Sequence, residues 1–213
     1  MTVQPMFPVP FGFDRHPAPE ALNAALRTLF LAREALPPYR NPDPYTERND
    51  ALFESRFDLF QWPEPEIAQL REFCLSRLLQ LVQGINGYSA ERTRGLRLKL
   101  ESWCHVTRRG GYFGVHNHPN ASWSGVYCVD PGRSDPGNED SGKLTFLHPH
   151  AHAGMYVDSG NVAARPPFNI QHVGYVLRAG DLVLFPSWLL HHVTPFAGEG
   201  ERITVAFNCA FAN

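Results

Sequence analysis

The chain is short of several things, and each shortage closes off a class of function. It has no apolar run near the roughly eighteen residues a membrane-spanning helix requires. Its 19 Lys and Arg against 21 Asp and Glu give a net charge of -2, so no basic field exists for nucleic acid or an anionic membrane surface. Its four cysteines, Cys74, Cys104, Cys128 and Cys209, form no CxxC pair, which fits neither a zinc ribbon nor a disulfide framework. The first residues, "MTVQPMFPVPFGFD", lack a basic segment followed by an apolar one, so no secretory signal is read and a cytoplasmic setting is expected. The Asn120–Ser122 glycosylation triplet therefore carries no weight.

What remains is a globular composition, 43% hydrophobic and 19% charged over 213 residues, enough for one domain with a sizeable core. The chain changes character near residue 93. Before it, "PAPEALNAALRTLFLAREALPP" predicts a helix over about 18–36 with Leu22, Leu26, Leu29 and Arg33 on one stripe. "PEPEIAQLREFCLSRLLQLVQGING" predicts a second, with Ile67, Leu70, Cys74, Leu78, Leu81 and Ile85 at helical spacing. Residues 39–62 lie between them, punctuated by proline and without a period, and read as a loop against the scaffold or a lid.

From 94 onward, short β-branched and aromatic runs alternate with turn clusters such as "RRGG", "DPGRSDPGNEDSG" and "AGEGE". This is the pattern of an all-β core, a sandwich or small barrel, with the N-terminal helices packed outside it.

The chemistry begins at "GGYFGVHNHPNASWSGVYCVD". On a strand, residues two apart share a face about 7 Å apart, so His116 and His118 can converge on one ion. The pair alone is a weak signal. A second stretch, "AGDLVLFPSWLLHHVTPFAGEGERITVAFN", adds His191 and His192, of which only one can point inward. Its last strand puts Arg202, Thr204, Ala206 and Asn208 on one face and Ile203, Val205 and Phe207 on the other. A polar-and-small face opposite an apolar one suits a lined cavity with a packed exterior.

Together these motifs resemble the 2-oxoglutarate/Fe(II)-dependent oxygenases, whose core is a double-stranded β-helix (jelly roll, cupin-like). "VHNHPN" looks like their HxD/E segment, and "HHVTP" matches the distal H-x-V-x-P form, which selects His191 over His192. "ERITVAF" supplies an arginine, Arg202, eleven residues after His191. More narrowly, residues 94–213 are similar to a bacterial and phage group reading HxHP…SGVYY and FPSWL-H.

The resemblance implies Fe(II) held by His116, His118 and His191, with 2-oxoglutarate and O2 as co-substrates. It implies that Arg202 pairs with the far carboxylate, and same-face parity adds Ser124 and Cys128 beside the co-substrate. The departure is His118, where the superfamily usually carries Asp or Glu. Imidazole is a good Fe(II) ligand, so two arrangements stay open. Either His118 is a ligand, or it sits behind the ion while water, Asp130 or Glu101 fills the place.

Other residues have blander readings. His148, His150 and His152 could form a second metal site but read more simply as a His-rich loop, and Trp103 and His105 as core. Two rival classes stand beside the oxygenase: a three-His cupin-type dioxygenase that needs no oxo-acid, and a non-catalytic jelly-roll module holding a metal. The cupin pattern expects a Glu shortly after His118, where "PNASW" stands. The substrate, a small molecule or a protein side chain, is not encoded in any motif; a homodimer is compatible with such a core.

Overall fold

A computed structural model describes residues 1–133, 135, 137–150 and 154–212. Its core is two facing antiparallel sheets, a double-stranded β-helix, with helices on one side. Among the described residues ten strands build it: β1 (Gly12–Arg15), β2 (Leu52–Glu54), β3 (Arg97–Thr107), β4 (Phe113–His116), β5 (Trp123–Asp130), β6 (Leu144–Phe146), β7 (Val173–Tyr175), β8 (Asp181–Pro186), β9 (His191–Val193) and β10 (Arg202–Ala212). The major sheet runs β1-β8-β5-β10-β3-β2 and the minor sheet β4-β9-β6-β7.

Helix α1 (Pro19–Glu34) and helix α2 (Pro65–Asn86) both begin with proline at the first turn, where its missing N–H costs nothing. α2 ends on Gly87, which takes the left-handed φ of 65° that closes a helix. α1 buries Leu22, Leu26 and Phe30, with Asn23 beside them; Leu29 is only partly buried. Arg33 leaves the expected apolar stripe to pair with Glu64 and Tyr39. α2 buries Ile67, Leu70, Cys74 and Leu78 as the spacing predicts, then Val82, while Ile85 in its last turn is 48% exposed.

Period-two alternation divides the major sheet between two tasks. Tyr127 and Val129 of β5, Leu182 and Leu184 of β8, and Ile203, Val205 and Phe207 of β10 face the helices and form the larger core. Cys128, Val183 and Phe185 face inward and meet Leu144 and Phe146 of the minor sheet in a smaller one. Tyr127 is fully buried under α1, where its hydroxyl donates to Asn23 Oδ1 at 2.7 Å.

Two expectations need correction. The segment 39–62 is not only loop: Leu52, Phe53 and Glu54 form the edge strand β2, which pairs with β3 and is wholly buried. Its short length and lack of alternation hid it. Likewise His116 and His118 do not share a strand. β4 ends at His116, and His118 follows in a turn whose backbone N–H donates to Ser187 O at 2.8 Å.

Candidate metal centre and its two cavities

Strand pairing brings the imidazoles together. His116 on β4 is the cross-strand partner of His191 on β9, and their ring centroids lie 4.2 Å apart. His118 reaches the same point from the turn, 4.9 Å from the His116 ring and 5.3 Å from that of His191. One ligand nitrogen from each of the three lies within 4.8 Å of the others, and among the described residues this is the one such cluster. His192, one residue on, pairs opposite Thr145 and stays outside it.

The ring orientations are set locally. His116 Nδ1 lies 2.8 Å from Gly114 O, and His191 Nδ1 lies 2.9 Å from Leu189 O. A carbonyl only accepts, so each Nδ1 carries the proton and each Nε2 keeps its lone pair for an ion. Burial drives all three imidazoles towards the neutral form: His116 is lowered to about 4 and His118 to about 3, and His191 falls well below the usual range. Three neutral donors at one point suit a divalent transition metal.

Two connected cavities open on this point. The inner one, about 30 Å³, is bounded by Ser124, Val126, His191, Arg202, Thr204 and Asn208 among others. Arg202 is 5% exposed, and burial pulls its pKa down. Among the described residues its guanidinium has no ion-pair or hydrogen-bond partner. The outer cavity is about 650 Å³, lined by Asn41, Asp43, Tyr45, Phe57, Glu101 and Asn117 among others. Both share Trp103, Phe113, His116, His118 and Asn208, so they are continuous at the histidines.

The remaining sequence candidates fall in different places. Ser124 lines the inner cavity, its hydroxyl donating to Asn208 Oδ1 at 2.8 Å and lying 2.8 Å from Ser187 Oγ. Cys128 is buried in the inner core with its thiol 3.7 Å from Leu177 O, pushed up to about 12 by burial, and it does not line the cavity. Asp130 is 3.0 Å from Arg27, and neither it nor Glu101 belongs to the histidine cluster. His148 and His150 lie on the loop after β6, and their rings are 5.8 Å apart. His152 falls outside the described residues.

One feature of the site had no sequence signal. Glu54 of β2, 3% exposed, sits opposite His105 in the β2–β3 register. Its carboxylate meets His105 Nε2 at 2.9 Å, Asn41 Nδ2 at 2.5 Å and Arg48 at 2.6 Å. Burial alone would raise its pKa, but these partners outweigh burial and hold it at about 2. Glu54 is thus a fixed negative charge on the wall of the outer cavity, attached to a chain segment with no visible period.

A double-stranded β-helix with histidines converging at the mouth of its barrel is the architecture of a non-haem metal oxygenase. Residues 101–208 match the family model described as "Putative 2OG-Fe(II) oxygenase", about half the chain, and the protein belongs to that family. It is therefore an Fe(II)/2-oxoglutarate-dependent oxygenase, with O2 as the second co-substrate.

Solved structures agree on the fold. A Pseudomonas putida prolyl-4-hydroxylase is 19% identical with a TM-score of 0.62, over 96% of this chain and 94% of that one. HygX from Streptomyces hygroscopicus, solved with nickel, 2-oxoglutarate and hygromycin B, is 14% identical with a TM-score of 0.57, over 95% and 83%. A Trichoplax adhaerens prolyl hydroxylase, in complex with a hypoxia inducible factor peptide, is 12% identical with a TM-score of 0.61, over 94% and 83%. No curated protein matches the sequence at a significant level. Among the described residues no helix is long and apolar enough to cross a membrane.

Proposed function

We propose that His116, His118 and His191 hold the Fe(II), that Arg202 binds the far carboxylate of 2-oxoglutarate, and that a substrate in the outer cavity undergoes hydroxylase-type oxidation. The observation that carries this is the pairing of two features at one point. Three neutral imidazoles stand beside a buried guanidinium that has no partner among the described residues.

The donor set fits the metal. Three neutral ligands leave the ion at +2, which the dianion of the co-substrate balances. Bound Fe(II) and 2-oxoglutarate supply the oxidising chemistry, consuming O2 and releasing succinate and CO2.

The chain's own part is positioning and exclusion of water. Gly114 and Leu189 carbonyls hold two imidazoles in the ligating tautomer. The turn at Ser187 sets the third. Arg202 offers a planar fork of donors that selects a carboxylate over a neutral group. Ser124 fixes the amide of Asn208 between the two cavities.

His118 in place of a carboxylate also favours a second reading, a three-His dioxygenase working without the oxo-acid. Under that reading Arg202 is dispensable. Resemblance to the bacterial and phage group with HxHP and FPSWL-H motifs, a single domain over 1–213 and a cytoplasmic setting complete the proposal. Association as a homodimer is compatible with it, and no nucleic acid or membrane enters the proposed function.

The test is the visible spectrum of anaerobic Fe(II)-loaded protein titrated with 2-oxoglutarate, with Arg202→Ala alongside. A weak metal-to-ligand charge-transfer band should appear, and the variant should need far more co-substrate to reach it. Stoichiometric iron without a band would move the assignment to the three-His dioxygenase. His191→Ala should lose metal and His192→Ala keep it; the opposite result would overturn the ligand set.

A further inference from the structure

We propose that the outer cavity takes a substrate bearing a protonated amine, held at the rim by Asp43 and Glu101. The inference rests on the reading above, in which this cavity opens on the oxidising centre.

Its volume, about 650 Å³, is that of a site for a small organic molecule. Its charge has one sign. Histidines aside, the ionisable groups on the wall among the described residues are Asp43, Glu54, Glu101 and the phenol of Tyr45, with no Lys or Arg. Glu54 is already paired with Arg48 and in hydrogen-bond contact with His105 and Asn41. Asp43 and Glu101 are exposed, and their carboxylates have no ion-pair or hydrogen-bond partner among the described residues.

The walls between these acids are aromatic. Tyr45, Phe57 and Trp103 line the cavity, and the Phe57 and Trp103 rings lie 4.9 Å apart. Aromatic faces with carboxylates beside them favour an organic cation over a neutral molecule of the same shape.

An independent observation comes from the floor. Asn208 is 7% exposed and lines both cavities. Its Oδ1 is occupied by Ser124, so its Nδ2 donors, unpartnered among the described residues, face the ligand space. They would take an oxygen acceptor on the substrate, so the ligand carries both an amine and a hydroxyl or carbonyl group.

The arrangement also sorts the two ligands by charge. The single guanidinium lies in the inner cavity and the free carboxylates at the outer rim. An oxo-acid dianion is drawn to the first and repelled from the second, so the two do not compete for one place. Glu101 shares a strand face with Trp103, about 7 Å further out, and Trp103 packs 5.6 Å from the His118 ring. An ammonium group held by Glu101 therefore leaves a carbon several bonds away nearest the histidines. The oxidised carbon is remote from the nitrogen.

The experiment is calorimetric titration of Zn(II)- and 2-oxoglutarate-loaded protein with three size-matched probes: 4-phenylbutylamine, 4-phenylbutanol and 4-phenylbutyrate. The amine should bind about tenfold more tightly than the alcohol, with the carboxylate weakest. Asp43→Asn and Glu101→Gln, both exposed and checked for wild-type circular dichroism, should each narrow that preference. Equal affinity for amine and alcohol, preference for the carboxylate, or no binding of any probe would overturn the proposal. A lysine-containing peptide that outcompetes the free amine would keep the amine chemistry and assign its source to a protein side chain. The readout is binding, so failure here is distinct from failure of the charge-transfer band, which tests the iron and 2-oxoglutarate assignment with no amine present.

Discussion

Replacing Arg202 by methionine should make the metal-free protein more stable and disable it at the same time. The guanidinium is 5% exposed on β10, and Gly142 is packed so closely that a Cβ there would come within 2.8 Å of Arg202 Cδ. No carboxylate compensates it among the described residues, and its neighbour Cys128 stays a neutral thiol. Holding an uncompensated charge out of water costs several kcal/mol in principle, and partial hydration from the inner cavity leaves about 2 kcal/mol to recover. Methionine fills most of the aliphatic stem without the charge. For a chain of this size the melting temperature should rise by roughly 4–8 °C. Loss of a two-pronged charged contact costs about 2–5 kcal/mol, so 2-oxoglutarate affinity should fall by roughly 30-fold or more. Calorimetric melts of both proteins, with and without saturating 2-oxoglutarate, read the two effects together. Wild type should gain stability from the ligand and the variant about 2 kcal/mol less of it, the equivalent of the 30-fold affinity loss. A variant that melts several degrees lower and still responds to 2-oxoglutarate as wild type does would refute the reasoning, because Arg202 would then be structural.

Two further outcomes follow from the core and from the buried acid. Glu54 is held at about 2, below the unfolded carboxyl at about 4.3, so the stability it contributes is full above that value and is lost as pH falls towards 2. The contribution is on the order of 3 kcal/mol, and the gap in urea midpoint between wild type and Glu54→Gln should shrink between pH 6 and pH 3; a constant gap would show that the charge is not what the network holds. Gly125→Ala would put a Cβ 2.3 Å from Phe207 Cζ and 2.9 Å from Leu184 Cδ2. It should cost about 1–3 kcal/mol, partly restored by Phe207→Leu, and a wild-type melt for the single variant would contradict the packing.

How much of this was legible depended on whether local pattern or pairing set the position. β8 is read to the residue from "DLVLFP", and β10 from the alternation of Ile203, Val205 and Phe207 with Arg202, Thr204 and Asn208. Motif spacing likewise singled out His116, His118, His191 and Arg202, which the structure gathers around two joined cavities. Parity on β5 puts Ser124 and Cys128 on one face; Ser124 lines the inner cavity, whereas Cys128 packs with Leu144 and Phe146 in the inner core. Glu54 was invisible for a different reason. Its meaning comes from lying opposite His105 across β2 and β3, a register made by residues some fifty positions apart. Nothing in "ALFESRF" announces that partner. The same holds for Asn41 and Asp43, whose place on the cavity wall is set by where β2 docks.

That docking separates two inheritances within one pocket. The three clustered histidines lie on the minor sheet and its turns, whereas Asn41, Asp43, Tyr45 and Phe57 come from the stretch before α2, pinned through β2 on β3 and through Glu47 and Arg48 on β4. A wall that arrives as one continuous segment can be exchanged as a cassette. Residues 41–57 could be recharged or transplanted between relatives while the imidazoles keep their geometry, provided that Glu54, Asn41 and Arg48 travel together, a histidine stands at 105, and the Glu47 carbonyl still meets Gly114 N–H. New substrates would then be reached by redesigning the wall rather than the centre it encloses.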